Sequence, residues 1–175
     1  VLAYHYRAAA LHESALRLLL KCVDQALHLC AYRDAIRLAD EALAVLQDPS
    51  AEALRNPFES RFLNRQCQAW YFLAELNKAL KAAQGALEAA RRGTDLHSIL
   101  TAENSIGMVC KELMRLDEAR QHFESALALA QQLEHKQLQA YVSNNLALLQ
   151  LLEGKGREEL EKAVQLAEEM GDSPM

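Results

Sequence analysis

Apolar side chains recur along this chain at positions i, i+3, i+4 and i+7, the spacing that places them on one side of an α-helix. The clearest stripe is Ile106, Val109, Cys110 and Leu113. Beyond a turn at Arg115-Leu116, a second stripe runs through Ala119, Phe123, Ala126, Leu127, Ala130 and Leu133, with Asp117 placed to cap its helix. Small residues (Gly107 on the first helix, Ala119 and Ala126 on the second) stand where two backbones must come close. The two segments read as an antiparallel hairpin. One hairpin cannot bury both of its apolar stripes, so it needs a neighbour.

That neighbour is supplied by repetition. Leu76-Asn77-Lys78-Ala79 returns as Leu116-Asp117-Glu118-Ala119, and Ala86-Leu87 as Ala126-Leu127. Asp34-Ala35 and Ala42-Leu43 keep the same internal spacing upstream, while Leu160, Ala163, Val164 and Ala167 match Phe123, Ala126, Leu127 and Ala130. The pattern predicts one domain over residues 1–175, with units at 13–47, 59–92, 95–133 and 137–170 behind a short N-terminal helix within 1–10. Helices are expected at Leu2–Ala9, Glu13–Cys30, Tyr32–Gln47, Glu59–Ala74, Asn77–Arg92, Asp95–Met114, Asp117–Leu133, Gln137–Leu152 and Arg157–Met170. The stretch from Asp48-Pro49-Ser50 to Asn56-Pro57 is expected to be a proline-bearing loop. The units are not identical: Cys67 and Ala147 stand where the third has Gly107, and the first has Val23.

Composition supports an all-α reading. The 175 residues include three prolines and six glycines, and Ala, Leu, Glu and Gln dominate over β-branched residues. A formal net charge of −5 argues against a nucleic-acid surface, which needs clustered Lys and Arg. The longest apolar run, Leu146 to Leu152, is far shorter than the roughly 18 residues of a membrane span. Cys22, Cys30, Cys67 and Cys110 form no Cys-x-x-Cys pair, and all fall in predicted helices, as small buried apolar residues of a protein in the reducing cytoplasm would. The start at Val1, without an initiator Met, suggests a piece of a longer protein.

Ile106-Gly107, followed by Leu116-Asp117-Glu118-Ala119, Phe123 and Ala126-Leu127, resembles the tetratricopeptide repeat. The unit length and the turns Gly93-Thr94-Asp95 and Gly171-Asp172 resemble its longer-repeat branch, found in bacterial signalling proteins behind a nucleotide-binding module of transcription regulators and in nucleotide cyclases. Leu2-Ala3-Tyr4-His5-Tyr6, Ala15-Leu16-Arg17 and Tyr32-Arg33-Asp34-Ala35-Ile36 are similar to the segment where such arrays leave that module. The resemblance implies a right-handed superhelical solenoid of about four helix pairs and a role in holding a protein or peptide.

In such an array the first helix of each pair lines the concave wall. Asn64, Asn104 and Asn144 recur there at equal separation, followed by Gln68, Met108 and Leu148 and then Tyr71, Lys111 and Leu151. Asparagine amides both donate and accept, so a column of them suits a peptide backbone. Met108, Tyr71 and Tyr141 add adaptable apolar contact. Within Trp70-Tyr71-Phe72, Trp70 shares the register of Cys110 and is expected inside, leaving Tyr71 to the groove. Tyr4, His5 and Tyr6 are expected to pack on a preceding domain, with a second partner-binding spot as the alternative.

No catalytic set is legible. The six histidines show no zinc spacing, Gly154-Lys155-Gly156 lacks the rest of a phosphate loop, and Glu158-Glu159 and Glu168-Glu169 read as solvated helix charge. The expectation is a non-enzymatic module without cofactor or metal, binding a protein or peptide and neither membrane nor nucleic acid. Two alternatives remain: a small-molecule effector site on the same wall, or a structural role in which array ends self-associate.

Overall fold

The computed structural model describes residues 2–152 and 154, with side chains from residue 11 onward. Seven α-helices follow one another: α1 (Leu2–His28), α2 (Tyr32–Val45), α3 (Glu52–Phe72), α4 (Leu76–Gly93), α5 (Leu96–Glu112), α6 (Leu116–Gln132) and α7 (Lys136–Leu152), with a 3-10 turn at Pro49–Ala51 before α3. There is no strand among the described residues. The last expected helix, Arg157–Met170, lies outside them.

Two boundaries differ from expectation. The short N-terminal helix and the first repeat helix are one continuous α1, because nothing between Ala9 and Glu13 breaks helical geometry. The stretch up to Pro57 is not a loop. Asp48 accepts from the Ser50 backbone N–H (2.8 Å) and stops the chain for one 3-10 turn, after which α3 starts at Glu52 with Pro57 inside it. Proline removes one backbone donor. The early turns of α3 are held in other ways: the Arg55 guanidinium donates twice to the Leu46 carbonyl at 3.1 Å, and Gly93 at the end of α4 lets Asn56 approach.

Five of the six connections share one device. Cys30, Ala74, Thr94, Met114 and Glu134 each adopt positive φ, between 51° and 60°. At the α5–α6 turn, Met114 N donates to Lys111 O (3.0 Å) and Arg115 N to Cys110 O (2.9 Å), the paired bonds of a Schellman cap. The next helix begins at once, with Ala119 N bonded to Arg115 O. Asp117 therefore sits in the first turn of α6 rather than at its cap, where its charge still suits the helix N-terminus. Asp95 does cap α5, accepting from His97 N at 3.1 Å. Cys30 lies in a turn and is exposed, contrary to expectation. Cys67 and Cys110 are buried, and Cys22 is partly so.

Each helix packs against the next in sequence, and α1, α3, α5 and α7 also touch one another along the array. Contact among the even-numbered helices is weaker. The odd-numbered helices therefore crowd together and form the inner wall of a curved stack, an all-α solenoid of helical hairpins. Two apolar clusters fill it. One gathers Leu16, Val23, Ala39, Leu46 and Phe62, the other Cys67, Ala83, Val109 and Phe123 with Val142 and Leu149. Trp70 touches both but is only half-buried, with Lys78 Nζ 4.6 Å from its ring centroid, so it is not the interior residue its register suggested.

Packing also explains why the units differ. In the third unit a Cβ on Gly107 would lie 2.7 Å from the Phe123 ring, so a large residue on α6 needs none on α5. The same register in the second unit holds Cys67 and Ala83, and in the first Val23 and Ala39, all buried. The bulk moves from one helix to the other while the interface stays filled.

Candidate functional site

The inner wall carries two adjoining depressions. The first, with ≈ 240 Å³ of space between α3 and α5, is bordered by Gln68, Tyr71, Phe72, Met108 and Tyr141. The second, of ≈ 520 Å³, lies nearer the start of α3 and is bordered by Arg61, Arg65, Asp95, His97 and Thr101. Asn64 lines both. Helical spacing produces this arrangement: residues 61, 64, 65, 68, 71 and 72 of α3 fall on one stripe, and Thr101, Asn104 and Met108 do so on α5.

Of the residues expected on the concave wall, Asn64, Gln68, Tyr71, Asn104, Met108 and Tyr141 meet at the first depression. Lys111 and Leu148 border a separate hollow with Met114 and Leu151, closer to the far end of α5. Asn144 joins neither. The three asparagines do not form an exposed ladder. Asn64 and Asn104 are 6% and 7% exposed, whereas Asn144 is open to solvent. The residue that meets Asn104 is Asn145, whose Nδ2 donates to Asn104 Oδ1 at 2.9 Å. Equal spacing in sequence missed this because the α5–α7 contact pairs Asn104 with the next residue along, on the face shared with Val142 and Leu149.

Polar groups around the first depression are partly committed. The Tyr71 hydroxyl donates to Glu112 Oε1 at 3.0 Å, and burial together with that carboxylate pushes its pKa up to about 12. Tyr141 OH donates to Met108 Sδ at 3.4 Å. Burial likewise raises the Cys67 thiol to about 12, leaving it a small apolar wall residue. Asn64 Oδ1 is buried with no hydrogen-bond partner among the described residues.

Arg61 and Arg65 were not anticipated. Their register along the array continues as Thr101 and Tyr141 for Arg61, and as Ser105 and Asn145 for Arg65, so no recurrence of charge marks them. The signal available was their i, i+4 spacing beside Asn64. Arg65 Nε is bound to Asp24 Oδ1 at 2.9 Å. Arg61 lies with its guanidinium carbon 5.9 Å from the Phe58 ring centroid, and desolvation and then Arg65 lower its pKa from the usual arginine value.

No protein-family model matches the sequence, and no curated protein does. The fold itself is shared with solved structures. The apo form of RapI superimposes with a TM-score of 0.72 at 16% identity, covering 91% of this chain and 58% of that one. BtubC (BKLC) from P. vanneervenii superimposes with a TM-score of 0.66 at 25% identity, covering 87% of this chain and 60% of that one. The chain thus spans about three fifths of each, and the likeness is one of fold. It is an all-α helical-repeat protein. No helix among the described residues is long and apolar enough to cross a membrane.

Proposed function

We propose that this chain is a binding module of the tetratricopeptide type that holds a protein or peptide on its inner wall, as the non-enzymatic sensor or scaffold part of a cytoplasmic signalling protein. The observation that carries this reading is the open trough along α3 and α5. Its Tyr71, Met108 and Tyr141 offer apolar contact between amide and hydroxyl groups. Such a mixture suits an extended chain, which presents side chains and unpaired backbone groups together. The shared fold with other helical-repeat structures supports the scaffold part of the reading.

Gln68 and Tyr141 are both exposed on the rim. Peptides selected on the protein from a random display library should lose at least about tenfold in affinity when Gln68→Ala and Tyr141→Ala are combined, the scale of one or two interface contacts. The helical circular dichroism and melting temperature should not change. Selected peptides that bind the double variant as tightly as the parent would place the site elsewhere.

A further inference from the structure

We propose that the chain forms a parallel dimer through the outer side of α1, which carries a seam spaced to receive a second copy of itself. The seam is separate from the inner-wall groove and adds self-association to the binding role proposed above.

The spacing comes first. Leu16, Leu20 and Val23 turn one side of α1 into the core. Another side of the same helix repeats in alternating steps of four and three: Leu11, Ala15, Leu18, Cys22, Gln25 and Leu29. That average of about 3.5 residues is the period of a coiled-coil seam, in which one helix lies along another at a shallow angle. In the sequence the same steps run back through Ala8 to Tyr4, and α1 is unbroken over Leu2–His28. Leu29, one residue beyond its end, is still held by Gln25 O at 3.0 Å.

This side of α1 is open. Leu11, Leu18 and Leu29 are 69%, 63% and 71% exposed, Ala15 and Gln25 are exposed, and Cys22 is partly so. Among the described residues α1 packs on α2, α3 and the 3-10 turn, all on its other side. A single exposed leucine is ordinary, whereas three in one heptad register mark a contact surface.

The seam matches itself. In a parallel pair in register, the small Ala15 and Cys22 let the backbones approach, and Leu11 and Leu18 each meet their own counterpart. Gln25 does the same, and an amide both donates and accepts, so two of them satisfy each other and fix the register. Lys21, on the flank, then faces Ala26 of the other helix. An antiparallel pair would set the two Lys21 side chains against each other, which disfavours that orientation.

Area sets the strength. From Leu11 to Leu29 the seam is about 27 Å long at about 1.5 Å per residue. With about 15 residues a side it covers roughly 500 Å² per copy, scaled from a standard interface of about 800 Å² and 20–30 residues a side. The total of roughly 1,000 Å² is just enough for specific association, so the dimer is reversible, with a dissociation constant on the order of 10 µM.

The test is sedimentation velocity on the full chain across about 1–300 µM, a range that brackets this constant, with cross-linking of Cys22 in a Cys30→Ser background. The mass should rise from monomer to dimer. Leu11→Glu with Leu18→Glu, both at exposed positions, should weaken the dimer at least about tenfold and leave the helical circular dichroism and melting temperature unchanged. Mild oxidation should link the two Cys22 thiols, a product lost in Cys22→Ser, because Cys67 and Cys110 are buried. Three results would overturn the proposal: a monomer at every concentration, as expected if the seam instead seats a helix of another protein; a dimer indifferent to the two glutamates; or a dimer that they disrupt but that does not cross-link through Cys22. Gln68→Ala/Tyr141→Ala should leave the dimer intact, and the two glutamates should leave peptide capture intact, so the seam and the groove stand or fall separately.

Discussion

Replacing Gly107 by alanine adds a methyl group to α5 at the point where α6 comes nearest. Built on the present backbone, that Cβ would lie 2.7 Å from both Cδ1 and Cε1 of Phe123 and 3.1 Å from its Cγ. Phe123 is fully buried, so its ring has no open side into which to move. Overpacking of this kind costs about 1–3 kcal/mol. Alanine in a helix interior is favoured over glycine by about 1 kcal/mol, which offsets part of that cost. The net expectation is destabilisation of up to about 2 kcal/mol, or a fall in melting temperature of roughly 2–4 °C per kcal/mol for a chain of this size. Gly85 on α4 is the control. A Cβ there meets Leu63 Cδ1 at 3.4 Å, an ordinary contact, so Gly85→Ala keeps the helical gain and should stabilise by about 0.5–1 kcal/mol. Urea titration followed by circular dichroism measures both, with the m-value showing whether cooperativity is kept. Phe123→Leu in the Gly107→Ala background should cost less than Phe123→Leu alone, because a smaller side chain relieves the clash. Gly107→Ala proving as stabilising as Gly85→Ala would refute the close approach of α5 and α6.

Three further expectations follow from the turns, the buried charge and the buried thiol. Ala74→Gly and Met114→Gly, at positions with φ of 60° and 58°, should each stabilise by about 0.5–1 kcal/mol in thermal melts, since L-residues are strained there and glycine is not. Glu103, 5% exposed, bridges Arg91 Nη2 (3.1 Å) and His122 Nδ1 (2.6 Å) across three helices. Removing both partners (Arg91→Ala with His122→Ala) leaves a buried carboxylate alone and should cost about 2–4 kcal/mol by urea titration, more than Glu103→Gln, which removes the charge itself. The folded pKa of Cys67 lies above its ordinary value of 9.0, at about 12. The stability this reflects is fully present below pH 9 and is lost as pH rises towards 12, because the unfolded chain releases that proton first. Between pH 8 and 10 the protein should lose about 1 kcal/mol relative to Cys67→Ala, and a thiol reagent should label exposed Cys30 long before Cys67.

The amino-acid sequence by itself determined the helical hairpins, their order and their need to stack, because these depend on local periodicity. Ile106, Val109 and Cys110 face Ala119, Phe123 and Ala126 as their spacing requires, and all six are buried. The turns were legible in place but not in kind. Their left-handed residues are Cys30, Ala74, Thr94, Met114 and Glu134, none of them the glycine that usually marks such a cap. Pro57 likewise suggested a break, and the helix runs through it because contacts from Arg55 and Gly93, distant in sequence from their partners, hold the early turns.

Only the tertiary structure decided which polar residues reach the groove. The repeat spacing grouped Asn64, Asn104 and Asn144 as equivalents. Burial depends instead on the rotation of each helix against its neighbours, and that rotation turns Asn145 inward to Asn104 and leaves Asn144 outside. The same packing gathers Arg17, Arg61 and Arg65 from two helices and supplies carboxylates to two of them. A one-dimensional pattern fixes the side of a helix that is apolar. The distances between polar atoms on different helices exist only after the hairpins have stacked.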